Sequence, residues 1–165
     1  MSVGIDVPIA RLNAIFASNL WSTHSDYARY GRVQRIVNQK GETIPRAYDA
    51  TSKKYIDVLL NGKISALSFF DIQSEEGYDS RFNANVWICF SVNLKTLYPL
   101  VTTERATEYA HRDVLKEIKK SGFKVTGLIR DYTAFDEYDL VKTGDDMNQY
   151  HLFRFNTEIK YPTNC

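Results

Sequence analysis

The chain has 165 residues, with 21 basic and 20 acidic side chains and a formal net charge of +1. A domain of that length buries roughly 70% of the surface its unfolded chain exposes, so it needs no metal or disulfide to hold together. The charge balance supplies no concentrated positive field for free nucleic-acid binding, and no stretch approaches the roughly 20 apolar residues of a membrane span.

Hydrophobic residues make up 44% and charged residues 25%, both ordinary, whereas the 13% aromatic content (eleven Tyr, nine Phe, two Trp) is high. That is more rings than one small core takes up, which places some of them at the surface or against other chains, where Tyr and Trp combine apolar area with a polar tip. Cys89, inside an apolar run, reads as a buried small residue and Cys165 as a terminal thiol. Neither belongs to a disulfide framework, so a reducing compartment is expected. Met1 to Ile9 contains Asp6 and no long apolar region, unlike a signal peptide.

Asp6 to Trp21 reads as a helix. Asp6 is placed to cap it, Pro8 falls in the first turn where its missing donor costs nothing, and Ile9, Leu12, Ile15, Phe16 and Leu20 recur as one apolar stripe. From Tyr30 short strands take over. Arg32 to Asn38 alternates, with Val33, Arg35 and Val37 on one side and Arg32, Gln34 and Ile36 on the other. Gln39-Lys40-Gly41-Glu42 is a turn, and the extended segment Thr43 to Tyr48 contains Pro45, which cannot donate to a ladder and so predicts an edge strand. The two segments make a protruding hairpin with exposed arginines.

Tyr55 to Leu60 is the next strand, Asn61-Gly62 a turn, and Lys63 to Ile72 an extended segment anchored by Leu67, Phe69 and Phe70. Gln73 to Phe82, with Glu75, Glu76, Gly77 and Asp79, reads as a flexible loop. Val86, Ile88, Phe90, Val92 and Leu94 then alternate with Trp87, Cys89, Ser91 and Asn93, the clearest strand and the expected centre of the sheet.

A second helix starts at Thr102 or Thr103, with Glu104 in its first turn and Ala106, Ala110, Val114 and Ile118 along one face. Lys116, Lys119 and Lys120 complement its C-terminal dipole and Gly122 is the expected terminator. Phe123 to Ile129 is a strand, Asp131 to Asp146 a loop rich in Asp and Tyr, and Gln149 to Ile159 a last strand with Phe153, Phe155 and Ile159 on one face. Segregated runs of strands and helices predict an α+β fold, an antiparallel sheet with two helices packed on one face, in one domain spanning residues 1–165.

The chemistry-bearing residues do not assemble into a motif. His24 follows the first helix without a nucleophile elbow or paired acid. His111-Arg112-Asp113 copies the first letters of a kinase catalytic loop, but it lies mid-helix, no glycine-rich loop precedes it, and Ile118 stands where the metal-binding Asn belongs. His151 shares a face with Phe153 and reads as a sheet residue. Carboxylates cluster at Glu75, Glu76 and Asp79, and at Asp131, Asp136, Glu137, Asp139, Asp145 and Asp146, neither set with calcium-loop spacing. The eight glycines are scattered, without a phosphate-cradling pattern. The expectation is a protein without catalysis, metal or cofactor.

The order of elements, and the segments Arg32-Val33-Gln34-Arg35-Ile36-Val37, Tyr55-Ile56-Asp57-Val58-Leu59-Leu60, Lys63-Ile64-Ser65-Ala66-Leu67-Ser68-Phe69-Phe70 and Val86-Trp87-Ile88-Cys89-Phe90, give a layout that resembles the tail-terminator and neck-ring proteins of tailed bacteriophages, with the small ring proteins of crAss-like phages nearest in character. The resemblance implies a virion protein made in the host cytoplasm. It would form a ring of identical subunits that contacts neck and tail proteins such as the portal or tail tube, with DNA passing through the lumen. Each subunit of a ring uses two different surfaces. The candidates for those contacts are Arg32, Arg35, Lys40, Glu42 and Arg46 on the hairpin, Glu75, Glu76 and Asp79 in the first acidic loop, and Tyr132, Phe135 and Tyr138 in the second. Two other classes stay open. One is a small-molecule or host-factor binding module; the other is a nucleic-acid accessory protein using Arg29, Arg32 and Arg35 with Tyr27 and Tyr30 for stacking.

Overall fold

The computed structural model describes residues 3–139 and 150–162. Helix α1 (Asp6–Asn19) buries Ile9, Leu12 and Phe16, and Leu20 closes it through a backbone bond to the Phe16 carbonyl. Ile5, not Asp6, occupies the N-cap position and no side chain caps the helix. Asp6 instead lies in the first turn, where a carboxylate suits the positive end of the helix, and it reaches Arg32 at 3.5 Å.

Five strands follow: β1 (Ala28–Val37), β2 (Thr43–Asp49), β3 (Lys54–Asp57), β4 (Ala66–Tyr78) and β5 (Arg81–Asn93). A four-residue helix α2 (Leu94–Leu97), which sequence periodicity is too short to reveal, takes Leu94 out of the β5 strand. Helix α3 (Thr103–Ile118), strand β6 (Lys124–Ile129), a 3-10 turn (Tyr132–Phe135) and strand β7 (Tyr150–Pro162) are the remaining elements among the described residues. The strands form one sheet in the order β3-β2-β1-β4-β5-β7-β6.

The sheet is mostly antiparallel, with one exception. β1 and β4 run parallel, because β2 and β3 are laid down on the outer side of β1 before the chain returns along its inner edge. β1 also changes partner midway. Ala28 to Arg32 pair with β4, a register shift follows Arg29 around Gly31, and Val33 to Val37 pair with β2. Asn61 makes the expected turn by accepting from the Lys63 amide, but the turn leads to β4 without forming a hairpin.

Three further expectations are corrected. The outermost strand is β3, not the Pro45 strand. Pro45 is tolerated inside the sheet because its carbonyl, accepting from Val58, points to the outer side just beyond the last β2–β3 pair, so the missing donor falls where the ladder has ended. Gln73 to Phe82 is not a loop: after a register shift between Ile72 and Ser74, β4 and β5 stay paired to Tyr78 and Arg81, with Asp79 in a left-handed turn at φ 56°. Gly122 is not a left-handed helix cap; among the described residues the positive-φ glycines are Gly4 and Gly41. A Cβ at Gly122 would come within 3.1 Å of Ile159, so a side chain there would require Ile159 to give by a few tenths of an ångström.

Alternation along β5 builds two cores on opposite faces of the sheet. Val86, Ile88, Phe90 and Val92 meet Ile9, Leu12 and Phe16 of α1 and Ala106, Ala110, Val114 and Ile118 of α3, so both long helices cover one face as expected. Cys89, fully buried, and Trp87 face the other side. They join Val33, Ala47, Leu67 and Phe69, covered by Ala134, Phe135 and Tyr138 from the segment after β6.

Candidate functional site

Four features of the surface and its supports are candidates for function. The first is a strand edge. β5 lies between β4 and β7 along its whole length, but β1 leaves β4 after Arg32 pairs with Phe70. Among the described residues no strand pairs with the outer edge of β4 from Asp71 to Tyr78. Glu75 and Glu76 are exposed there. The tip of this ribbon is stiffened from its other side: the ring of Phe82 lies over Gly77, where a Cβ would come within 2.3 Å of it, and stacks on Tyr161 at 5.7 Å. An open edge on a firm ribbon offers its backbone groups to another chain.

The second feature is a groove of about 480 Å³ between α1 and the β1–β3 part of the sheet. Tyr48 and Tyr55, opposite each other on β2 and β3, stand 56% and 54% exposed with ring centroids 5.3 Å apart. Arg32 and Asp6 line the rim, and Asn13 donates to the Tyr30 carbonyl while its Oδ1 is buried without a partner.

The third is a buried polar network on the face opposite the helices. Asp71 continues the inward phase of Leu67 and Phe69 and is 3% exposed. It receives Arg35 at 2.9 Å and the Tyr138 hydroxyl, while Arg35 also donates to Gln73 at 2.8 Å. Arg154 lies 3.4 Å from the centre of the Trp87 ring and bonds Glu137 and the Ala134 carbonyl, both at 3.2 Å. Burial pushes the Tyr138 hydroxyl well up, the Asp71 charge adding to it. Burial likewise raises the Cys89 thiol well above its ordinary value, which leaves it an inert core group.

The fourth is a histidine pair at the junction of α3 and β7. The Nε2 atoms of His111 and His151 lie 2.8 Å apart. Burial, then the neighbouring His151 and Arg130, push His111 down to about 4. Burial also lowers His151, partly offset by Asp131.

These positions sort the interface candidates. Arg32, Lys40, Glu75, Glu76, Asp79 and Tyr132 are exposed, Tyr132 by 75%, and Glu42 is half-buried. Arg35 and Arg46 are committed within the chain, Arg35 to Asp71 and Arg46 to Asp57 at 2.9 Å. Phe135 and Tyr138 are buried on Phe69, at 5.6 and 5.7 Å, so they are core residues and not contacts for a neighbour. Asp145 and Asp146 lie outside the described residues, as does Cys165. The stacking platform expected at Tyr27 does not form, since Tyr27 is 4% exposed and shares a 2.7 Å bond with Ser68.

Sequence reasoning weighed His111 and His151 one at a time and missed their meeting. One signal was present: His111 sits three residues before Val114, on the flank of the buried stripe of α3. No protein-family model matches the chain, and no curated protein shows significant similarity to it. Among the described residues no helix is long and apolar enough to cross a membrane, and no cluster of three or more His, Cys, Asp or Glu side chains is placed to hold a metal ion.

Proposed function

We propose that the chain is a structural subunit that assembles with copies of itself into a ring in the neck or tail of a tailed bacteriophage, joining portal or connector to tail while DNA passes through the lumen. The observation that carries this reading is the outer edge of β4 between Asp71 and Tyr78, which no strand among the described residues pairs. A long exposed edge is normally blunted or covered, and a neighbouring chain is one such cover. The second surface that a ring requires is supplied by the β1–β2 hairpin, which parts from β4 after Arg32 and ends in the turn at Gly41. A net charge of +1 suits a lumen that lets DNA slide without gripping it.

Light scattering and negative-stain imaging over a concentration series test this. The native chain is expected to form a defined oligomer, and Glu75→Lys with Glu76→Lys to shift it toward monomer at an unchanged unfolding midpoint, because both carboxylates are exposed. A native chain that stays monomeric at high concentration, alone and with a tail-tube protein, overturns the proposal.

The groove between α1 and β1–β3 favours a second reading, a small-molecule or host-factor binding module, since it brings two exposed tyrosines and polar groups to one concavity. A ligand screen by NMR would then find compounds whose binding is lost in Tyr48→Ala and Tyr55→Ala.

A further inference from the structure

We propose that His111 and His151 form a proton-operated latch that holds the start of β7 against helix α3 and releases it as the pH falls. His111 is 4% exposed on the inner side of α3, and His151 is the second residue of β7. Both rings rest on Phe153, His111 edge-on at 4.7 Å and His151 stacked at 5.3 Å, so neither swings away without losing apolar contact.

The 2.8 Å between the two Nε2 atoms admits one proton. His111 Nδ1 is buried with no hydrogen-bond partner. A hydrogen on that nitrogen would be an orphaned buried donor, so the proton of His111 belongs on Nε2, pointing at the bare Nε2 of His151. The pair then has no low-cost place for a further proton. On His111 Nδ1 it creates a buried charge without a partner, and on His151 Nε2 it sets two N–H groups against each other and breaks the bond. The charged neighbours do not rescue the first case. Arg130, bonded to Glu108 of α3 at 2.9 Å, adds positive potential at His111, while Asp131 acts on His151.

The latch sits where it controls one end of the sheet. His151 pairs with Val92 of β5, and the adjacent Tyr150 hydroxyl donates to the Ile64 carbonyl at 2.5 Å. Because both histidines bind protons less readily folded than unfolded, the stability they contribute is fully present above the unfolded value of about 6.5. It is lost as the pH falls through that value toward the folded value of His111 near 4.

Imidazole nitrogen NMR of the native chain at pH 7.5 tests the geometry directly. The expected result is two different tautomers, His111 protonated on Nε2 and His151 on Nδ1, with amide exchange at 150–152 rising as the pH is lowered. Between pH 7.5 and 5 the unfolding constant of the native chain should increase on the order of tenfold more than that of the His111→Phe/His151→Phe double variant, which keeps rings on Phe153. Two identical tautomers titrating independently near the ordinary histidine value overturn the latch, and so does an equal pH dependence in native and variant. The tautomer result stands even where the double variant fails to fold.

Discussion

The two faces of the sheet reach burial by different chemistry. The helix face is mainly apolar, with Ser68 and His111 among its buried polar groups: Phe90 stacks on Phe153 at 5.0 Å and meets Phe16 edge-on at 5.7 Å, and aliphatic side chains of α1 and α3 extend the cluster. The opposite face has a smaller apolar cluster completed by Asp71, Arg35, Tyr138, Arg154 and Glu137. One face is held by undirected contact area and tolerates many side chains of about the right size. The other is held by directed bonds, and each partner removed strands another.

The largest effect that separates the faces belongs to Phe90→Ala. Its ring is fully buried against Phe16, Trp21 and Phe153, so truncation leaves a cavity and is expected to cost about 3–5 kcal/mol, read from urea unfolding. Phe90→Leu, which keeps most of the volume, should recover most of that loss. A cost as large for Leu as for Ala would mean that ring stacking, not filled volume, holds this face.

On the other face Asp71→Ala is expected to cost about 1–3 kcal/mol, since it leaves Tyr138 and Arg35 without their shared acceptor. The figure is held down because the Arg35 side chain is 36% exposed and water can replace part of what it loses. The discriminating measurement is the double variant Arg35→Ala/Asp71→Ala. With the stranded guanidinium gone, its cost should fall clearly below the sum of the single costs. Additive costs would show that the pair is not coupled and that the network is a set of separate contacts.

This contrast also explains what the sequence discloses. The helix face is written in local spacing: Ile9, Leu12, Phe16 and Leu20, then Ala106, Ala110, Val114 and Ile118, then the alternation of β5, are each legible within one element. The far face depends on partners distant in the chain, Asp71 with Tyr138 and Trp87 with Arg154, which no window contains. Phe135 and Tyr138 therefore read as surface residues of an acidic loop, although they close a core. The β4 edge was missed for the same reason. Ser74-Glu75-Glu76-Gly77 has the composition of a loop, and its extended form comes from pairing with Phe82 to Asn85 of β5. Of the candidate site, the exposed positions Lys40, Glu75, Glu76 and Asp79 were visible in the sequence, whereas the open edge on which Glu75 and Glu76 lie was not.

The smallest effect sharpens the comparison most, because it holds the chemistry constant. Arg46 and Asp57 form the same kind of pair as Arg35 and Asp71, at the same 2.9 Å, but with side chains 37% and 41% exposed at the outer strands of the sheet. Two long side chains ordered in water gain little, so the coupling from a double-mutant cycle is expected at about 0.2–1 kcal/mol and to fade as salt rises to 1 M. The Arg35–Asp71 coupling should be larger and resist the same salt, since Asp71 is shielded by Tyr138 and the sheet. If the two couplings prove equal and equally screened, burial of one carboxylate does not set the strength of these pairs, and the far face owes its order to packing alone.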